Sequence, residues 1–409
     1  MTKTMQGIRV LEVAEHTFVP AASAVLADWG ADVIKVEHAE RGDAMRGLGR
    51  TGILDLSKGV HVILEHSNRG KRSIGIDLAT PEGLEVLYAI AKTSDVFLTN
   101  KQPRVLDKLE LGIVDIRAQN PDIIYVRGTA FGPKGPDRDR GGYDMTSFWC
   151  RAACADAITP PGFPNALPQP APAYGDSIAG MTIAGGIAAA LLRRERTGEA
   201  GVVDVSLLGA GAWAMSAAVA LSLQTETPWG LASMASQASK GPGNPLTGTY
   251  KTRDDRFVCF VMLQAFVYWP DFCEHIGRPE LAADPRFDSH EHLTENARAA
   301  REIIAEVMAT KTLSEWTAVL QTLKGQWAPV QNTLELAADP QMRANGYMVG
   351  VQTKAGIDFE LVASPVQFDE EPMPTARGPE FNEHGDEILA ALGYEADQII
   401  DLKVKGAVA

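Results

Sequence analysis

Apolar runs of strand length alternate with amphipathic stretches through the first third of the chain. The runs at 7–13 and 31–37 are rich in Val, Ile and Leu, and the small apolar residues from Pro20 to Trp29 predict a helix between them. Because the links are short, two strands joined through one helix must run parallel. The alternation continues with a strand at 71–78, a helix opened by Thr80-Pro81-Glu82, a strand at 95–100, a helix at about 103–109 and a strand at 122–128. This order predicts an α/β domain.

The pattern changes after Gly128. Two stretches rich in Gly and Pro, 132–142 and 159–173, predict loops, with a helix at about 143–155 between them. A long apolar helix is predicted at about Ser177–Arg194, and a strand follows at 201–206.

The stretch from Val205 to Leu223 carries no charge and is about as long as the ~20 residues that a bilayer span needs. It is rich in Ala, Gly and Ser rather than Leu and Ile, and Asp204 precedes it. This composition favours a helix in the core or in a subunit interface over a membrane span. We therefore expect no membrane partner.

A second folded unit is predicted after residue 247. Residues 224–247 are rich in Gly, Ser, Pro and Gln and predict a linker. A hairpin turning at Asp254-Asp255 follows, and apolar periodicity predicts helices to about 325. From about 345 the chain has a strand-like segment, a Pro-rich crossing at 365–379 and a helix near 385–393.

Length and charge narrow the class of protein. The 409 residues are enough for two or three domains, and 45% hydrophobic with 22% charged residues is the composition of a folded globular protein. The net charge of −14 makes nucleic acid a poor partner. The four cysteines form no disulfide or zinc pattern, and Arg9 and Glu12 interrupt the first apolar stretch before it could act as a signal peptide, so we expect a cytoplasmic protein.

Several common cofactor motifs are missing. The first β–α turn, AEHTFVPAAS, contains no glycine, which disfavours a nicotinamide cofactor. No P-loop, zincin or serine-hydrolase motif occurs, and the eight histidines lie without the spacing of metal ligands. We expect no bound metal.

One carboxylate stands at the start of the long apolar helix. In Tyr174-Gly175-Asp176-Ser177, Asp176 follows the Pro-rich loop and would lie at or next to the helix N-terminus. From the residues alone, a helix cap is the simpler interpretation. The functional interpretation is a nucleophile or base on a rigid helix start.

Eight strings in a fixed order resemble the family III CoA-transferases, which include formyl-CoA transferase, carnitine-type CoA-transferases and 2-methylacyl-CoA racemase. The strings are GIRVLEV, LADWGADVIKVE with GDAMR, NRGKRSI with DLATPEG, LTN, VLDKLEL and GDSIAG. The likeness covers nearly the whole chain and is strongest over residues 5–205. It implies a Rossmann-like large domain formed by N- and C-terminal parts plus a smaller α+β domain, in an interlocked, ring-like homodimer.

The resemblance also gives the expected domain boundaries. Residues 1–223 would form the first part of the large CoA-binding domain, 224–247 a linker and 248–330 the small α+β domain. Residues 331–409 would be a linker and the return to the large domain.

The resemblance assigns the nucleophile of the GDSIAG string to Asp176. Its carboxylate would attack an acyl-CoA thioester to give a mixed anhydride, and the released CoA thiolate would then form an aspartyl-CoA thioester. An incoming carboxylic acid would reverse these steps. Coenzyme A would be part of the substrate, with no prosthetic group and no metal.

The same resemblance implies a set of CoA contacts in the N-terminal region. They are Thr17, Phe18, His38, Ile76, Asp77, Leu78, Asn100, Lys101, Lys108, Tyr143 and Asp144. His38 stands where some relatives have arginine, which weakens the case for a phosphate contact there. Lys108 stands at a position commonly arginine and would lose a bidentate contact to the 3′-phosphate. Gly241-Pro242-Gly243 matches a glycine-bearing loop that covers the active site in relatives.

The predicted function is therefore an acyl-CoA:carboxylate CoA-transferase. Phe148, Trp149 and Phe163 suggest an apolar acyl pocket and a hydrophobic acyl group. The main alternative is a 2-methylacyl-CoA-type racemase, but such racemases have a Gly-His-Asp string where this chain has Gly142-Tyr143-Asp144, and tyrosine is the poorer base at neutral pH. A CoA-binding protein without turnover is the third hypothesis.

Overall fold

The computed structural model describes residues 3–48, 56–231 and 243–409. The chain divides into two compact units, one formed by Met1–Gly230 with Pro340–Ala409 and the other by Leu231–Asp339. The first unit therefore combines both ends of the chain. In this division residues 331–339 belong to the second unit, and the first break lies near 230.

The first unit is built on a six-stranded, fully parallel sheet. Its strands are β1 (Arg9–Val13), β2 (Asp32–His38), β3 (Arg72–Ile76), β4 (Val96–Thr99), β5 (Ile124–Thr129) and β6 (Val202–Ser206). They lie in the order β3-β2-β1-β4-β5-β6. The order reverses between β1 and β4, and in such sheets ligands bind in the crevice beyond the carboxyl ends of those strands. The predicted α/β class is confirmed.

Helices cover both faces of this sheet. Those before residue 160 are α1 (Phe18–Asp28), α2 (Ala44–Gly47), α3 (Val62–Asn68), α4 (Pro81–Lys92), α5 (Pro103–Lys108), α6 (Ile113–Gln119) and α7 (Cys154–Ile158), with a π-helical turn at Met145–Cys150. The long α8 (Tyr174–Thr197) lies beside α1. Successive strand residues such as Val10 and Leu11 enter different clusters, because strand side chains alternate between faces.

The prediction of one long uncharged helix over Val205–Leu223 is wrong. Val205 and Ser206 end β6, and two helices follow, α9 (Leu207–Ala214) and α10 (Ser216–Thr225), which together are bent by 66°. No residue of α10 is buried. Among the described residues, α8 by itself has the length and composition of a membrane span, and so does the bent pair α9–α10 taken together. Core helices of soluble proteins can have the same length and composition.

The C-terminal part of the first unit contacts strand β3 of the sheet. It contains α16 (Pro340–Ala344), the hairpin strands β10 (Met348–Gln352) and β11 (Asp358–Val362), then α17 (Gly385–Ala391) and α18 (Ala396–Val404). The backbone N–H groups of His384 and Ala409 donate to the carbonyls of Ser73 and Gly75 in β3. The helix predicted near 385–393 is present, and α18 was not predicted.

The second unit has its own core. Strands β7 (Thr247–Lys251), β8 (Phe257–Val261) and β9 (Trp327–Pro329) form an antiparallel sheet. Its helices are α11 (Ala265–His275), α12 (His290–Glu295), α13 (Ala297–Met308), α14 (Leu313–Leu320) and α15 (Thr333–Ala338), with a 3-10 turn at Pro279–Ala283. Trp269, Phe272, Phe287 and Trp316 lie fully buried among them.

Candidate active site

Asp176 lies in the first turn of α8, at the third helical position. The residue at the cap position is Ala173, and Asp176 makes no side-chain cap, so the capping interpretation is wrong. Close packing sets the helix in place, because a Cβ at Gly180 would lie 2.9 Å from the Cβ of Ala21 and 2.9 Å from the carbonyl oxygen of Phe18 in α1. The sequence therefore holds this carboxylate on a rigid element.

A second carboxylate supports the start of α8. Oδ2 of Asp144 accepts a hydrogen bond from the backbone N–H of Gly175 at 3.0 Å. A Cβ at Gly175 would lie 2.3 Å from Asp144 Oδ1 and 2.3 Å from Cγ of Phe148. Only glycine fits between Asp144 and the helix at this distance.

The environment changes the acidity of Asp176. Burial, and to a smaller extent the neighbouring Asp144 charge, raises the pKa of Asp176 to about 7. A carboxylate near neutral pKa is poorly stabilised by solvent, and it is ionised in part of the molecules at neutral pH. Such a group can act as a nucleophile or as a proton acceptor.

Replacing Asp144 by asparagine tests this electrostatic coupling. Asp144→Asn keeps an oxygen acceptor for Gly175 and removes the negative charge, so we expect the pKa of Asp176 to fall. If ionised Asp176 is the reactive form, the wild-type rate declines below about pH 7, and the variant keeps its activity to lower pH. Release of free carboxylic acid from acyl-CoA, measured across this range, would show the shift. Asp122→Asn, at an exposed position of the same unit, should leave the profile unchanged, and an unshifted profile for Asp144→Asn would contradict the coupling.

Asp176 lies in a cavity of about 610 Å³ beyond the carboxyl ends of β1, β4 and β5. Four cations also line this cavity, namely Arg41, Lys101, Arg138 and Arg140. A second cavity, of about 200 Å³, is lined by residues of the ends of β2 and β3. The two cavities share Glu15, Arg41, Lys101 and Val105, so they are parts of one groove.

Most of the contacts implied by the resemblance line this groove. Phe18, Asn100, Lys101 and Tyr143 line the larger cavity with Asp176, and Lys101 also lines the smaller one with His38, Ile76, Asp77 and Leu78. Three residues do not line it. Thr17 is buried beside it, Lys108 is exposed, and Asp144 lies behind the start of α8.

The aromatic residues expected around the acyl group do not line the cavity either. Phe148 is buried against Gly175 and Tyr174, and the indole N–H of Trp149 donates to the carbonyl of Leu167. Phe163 is 55% exposed. Phe148 and Trp149 belong to the core beneath the site and Phe163 lies at the surface, so these three side chains do not form the wall of this cavity. Of the predicted covering loop, Gly241 and Pro242 lie outside the described residues.

Sequence reasoning missed His16, Arg41, Arg138 and Arg140. Arg41 lies just before the GDAMR string, and the other two arginines belong to the charged Gly/Pro-rich loop, so local cationic residues near the matched strings were an available signal. His16 occupies the glycine-free β1–α1 turn with a φ of 66°. No sequence pattern marked it.

A buried charge network lies under this turn. Lys35 Nζ is 2.8 Å from Glu12 Oε1 and 2.7 Å from Asp43 Oδ2, and Lys71 Nζ is 2.7 Å from Glu12 Oε2. All four side chains are removed from solvent, although Lys and Glu are almost never fully buried unless paired. Although burial favours the neutral acids, the lysines hold the pKa values of Glu12 and Asp43 below their ordinary values. Burial lowers the pKa of Lys71 to about 8, against the opposing effect of Glu12.

Within the described ranges, no group of three or more His, Cys, Asp and Glu side chains is arranged to hold a metal ion.

Comparison with known proteins gives full-length matches. The profile described as CoA-transferase family III matches residues 5–385. (R)-2-hydroxy-4-methylpentanoate CoA-transferase of Clostridioides difficile is 29% identical over 98% of this chain and 98% of its own length. Cinnamoyl-CoA:phenyllactate CoA-transferase of Clostridium sporogenes is 30% identical over 98% and 96%. Formyl-CoA:oxalate CoA-transferase of Rhodopseudomonas palustris is 31% identical over 100% and 98%.

Two solved structures also align with nearly the whole chain. The orthorhombic crystal structure of Rv3272 from Mycobacterium tuberculosis aligns with a TM-score of 0.77 and 26% identity, over 94% of this chain and 98% of that one. A CaiB/BaiF family protein from Brucella suis aligns with a TM-score of 0.78 and 26% identity, over 96% and 100%.

Proposed function

Because the chain belongs to the family III CoA-transferases, we propose that it transfers coenzyme A from an acyl-CoA to a free carboxylic acid with Asp176 as the nucleophile. The single observation that carries this proposal is the position of Asp176 in the larger cavity of a continuous groove, where burial raises its pKa to about 7. Coenzyme A enters as part of the substrate.

The groove suits the parts of an acyl-CoA. Ile76 and Leu78 give the smaller cavity an apolar wall for the adenine, and Asp77 lies between them. Arg41 and Lys101 line both cavities and would meet the phosphates, with Lys101 also paired to Glu15. These local cations oppose the overall charge of −14 where a polyanionic substrate would bind. The acyl end would then reach Asp176.

The chemistry needs no added oxidant, metal or net proton. An oxygen of Asp176 attacks the thioester carbonyl, the C–S bond breaks, and CoA leaves as a thiolate from a mixed anhydride. The thiolate then attacks the aspartyl carbonyl and displaces the first acid as a carboxylate. An incoming carboxylate reverses both steps and leaves as the new acyl-CoA, restoring the Asp176 carboxylate. Covalent catalysis divides one difficult exchange into easier steps.

We propose a hydrophobic acyl group. The support is that two relatives of similar identity are named for a methyl-branched 2-hydroxy acid and for aromatic acids. A relative named for formate and oxalate is equally similar, so identity alone does not choose.

An exchange screen tests both the reaction and the acyl class. Labelled CoA donors are incubated with a panel of branched, aromatic and small dicarboxylic acids, and new acyl-CoA is measured. We expect transfer, fastest with the branched or aromatic acids. Free carboxylic acid released from acyl-CoA alone should match the number of active sites, because CoA stays on the enzyme as the thioester, whereas a CoA-binding protein without turnover releases none. Transfer confined to formate and oxalate would contradict the hydrophobic assignment.

A 2-methylacyl-CoA-type epimerase is the second candidate, and one observation favours it. The sequence lacks histidine in the Gly142-Tyr143-Asp144 string, but the His16 ring lies against the Tyr143 ring, with centroids 5.5 Å apart. An imidazole therefore lines the cavity that holds Asp176. Because epimerisation needs proton delivery to both faces of the α-carbon, a 2-methylacyl-CoA in deuterated water should show little inversion if transfer is the function. Rapid equilibration of the epimers without CoA transfer would make the epimerase the primary function.

We also propose that the protein is an interlocked homodimer. The support is the outer surface of α9 and α10, where Trp213 is 80% exposed, Leu223 is 77% exposed and no residue of α10 is buried. Large apolar side chains at this density are typical of an interface. Gel filtration should give a dimer that resists dilution, and an active, monodisperse monomer would contradict it.

We also propose a cytoplasmic location. The support is that all four cysteines are free thiols, which is typical of proteins in a reducing compartment.

A further inference from the structure

We propose that His16 is a catalytic residue whose imidazole N–H donates a hydrogen bond to the acyl carbonyl oxygen while Asp176 adds to the thioester. This inference rests on the proposed transferase function and deepens it. It concerns a residue that the sequence patterns left unmarked.

The backbone of His16 is the first observation. Its φ is 66°, in the left-handed region that L side chains rarely adopt and that glycine adopts freely. The β1–α1 turn nevertheless carries a histidine there. A side chain kept in a strained conformation at the edge of an active-site cavity points to a function for that side chain.

The surrounding side chains fix this turn from several sides. Asp43 Oδ1 accepts a hydrogen bond from the backbone N–H of His16 at 3.1 Å, and Lys35 donates to the carbonyl of Ala14 at 2.9 Å. Asn100 accepts from the backbone N–H of Glu15 at 3.2 Å and donates to its carbonyl at 2.7 Å. Because these partners come from β2, the loop before α2 and the end of β4, the turn is held before any substrate binds.

Among residues 3–48, 56–231 and 243–409, no side chain or backbone group is a polar partner of the ring. It meets the Tyr143 ring edge to face, at an interplanar angle of 90°, which restricts its orientation. The hydrogen bonds of the described residues include none to either ring nitrogen of His16. Two neighbouring polar groups of the cavity are already engaged, since Asn100 bonds to Glu15 and Lys101 pairs with Glu15. The imidazole therefore has a free N–H or nitrogen to offer to a ligand.

The reaction requires such a donor. When Asp176 adds, the C–O bond forms and the carbonyl oxygen becomes an oxyanion, which collapses as the C–S bond breaks. A neutral imidazole carries one N–H that can donate to this oxygen. A donor positioned before the reaction stabilises the developing charge without reorganisation. His16 keeps its proton throughout, so no acceptor for that proton is needed.

The test uses the left-handed backbone to separate catalysis from folding. His16→Gly removes the ring and relieves the backbone, so the melting temperature should stay the same or rise. We expect kcat to fall about 10²–10³-fold, the usual effect of losing one such donor, with KM for acyl-CoA changed much less. His16→Asn tolerates the left-handed backbone and keeps a donor, so it should recover part of kcat. The matched control is Asp255→Gly, which relieves a φ of 60° in the turn between β7 and β8 and should leave kcat unchanged.

Three results would overturn the inference. They are a kcat of His16→Gly within twofold of wild type, a change in KM alone, or loss of activity that follows loss of folded protein. Loss of α-deuterium exchange with CoA transfer intact would instead assign His16 as a base. The parallel Asp176→Ala variant separates this failure from failure of the proposed function. If Asp176→Ala keeps transfer, the proposed function fails; if only His16→Gly keeps its full rate, the His16 assignment alone fails.

Discussion

Replacing Asp176 with alanine is expected to abolish CoA transfer and to leave acyl-CoA binding largely intact. The proposed role of this carboxylate is covalent, so no neighbouring group can substitute for it. Loss of a nucleophile that acts in concert with its surroundings reduces kcat by about 10⁴-fold or more. Binding should persist because the groove that would hold the nucleotide is lined by other residues, among them Arg41, Ile76 and Leu78.

Two measurements check this result. Release of free carboxylic acid from acyl-CoA alone should disappear in Asp176→Ala, and mass spectrometry of trapped wild-type enzyme should find the CoA adduct on Asp176. Glu195→Ala is the matched control, because Glu195 is an exposed carboxylate on the same helix. Near wild-type transfer by Asp176→Ala would show that the central assignment is wrong.

The stability of an Asp176 variant distinguishes lost chemistry from lost folding. The pKa of Asp176 rises to about 7 in the folded protein, so folding disfavours its charged form. This penalty is absent below the ordinary pKa of 3.8, grows as pH rises and is complete above about 7. Asp176→Asn should therefore be at least as stable as wild type at about pH 8. An inactive but stabilised variant is the expected outcome.

Replacing Lys35 with methionine is expected to destabilise the first unit by about 3–5 kcal/mol. Lys35 is fully buried between Glu12 and Asp43, and its removal leaves these two carboxylates with Lys71 as the remaining cation of the network. It also removes the hydrogen bond to the carbonyl of Ala14, which helps to hold the β1–α1 turn. An unpaired buried charge costs far more than the net value of the pair.

Urea denaturation followed by fluorescence and circular dichroism would measure the change. Arg193→Met is the matched control, because it breaks an exposed ion pair. The side chain of Arg193 is 58% exposed and that of its partner Glu199 is 68% exposed. Such exposed pairs contribute about 0–1 kcal/mol. If Lys35→Met lost no more stability than Arg193→Met, the network would not be the main support of the turn.

The strands of the parallel sheet and the family could both be predicted from the sequence. Strands β1 to β6 all fall within or beside the predicted apolar runs, because burial on both faces selects continuous Val, Ile and Leu. Membership of the CoA-transferase family, expected from eight ordered strings, is confirmed. The helix at 205–223 was predicted wrongly, since a stretch of small uncharged residues has no periodicity that would mark the bend at Met215. No pattern in the sequence predicted α18 either.

The strands of the sheet, the family and the candidate nucleophile can be inferred from the amino-acid order alone, because each depends on neighbours along the chain. The surroundings of that nucleophile are visible only in the folded protein. Asp144 meets the helix start from 31 residues away, and both its charge and the burial of Asp176 act through space. His16 joins the cavity because Asp43 and Asn100, 27 and 85 residues away from the groups they bond, hold its turn. Electrostatic and packing energies depend on distances in space, and chain spacing alone does not contain them.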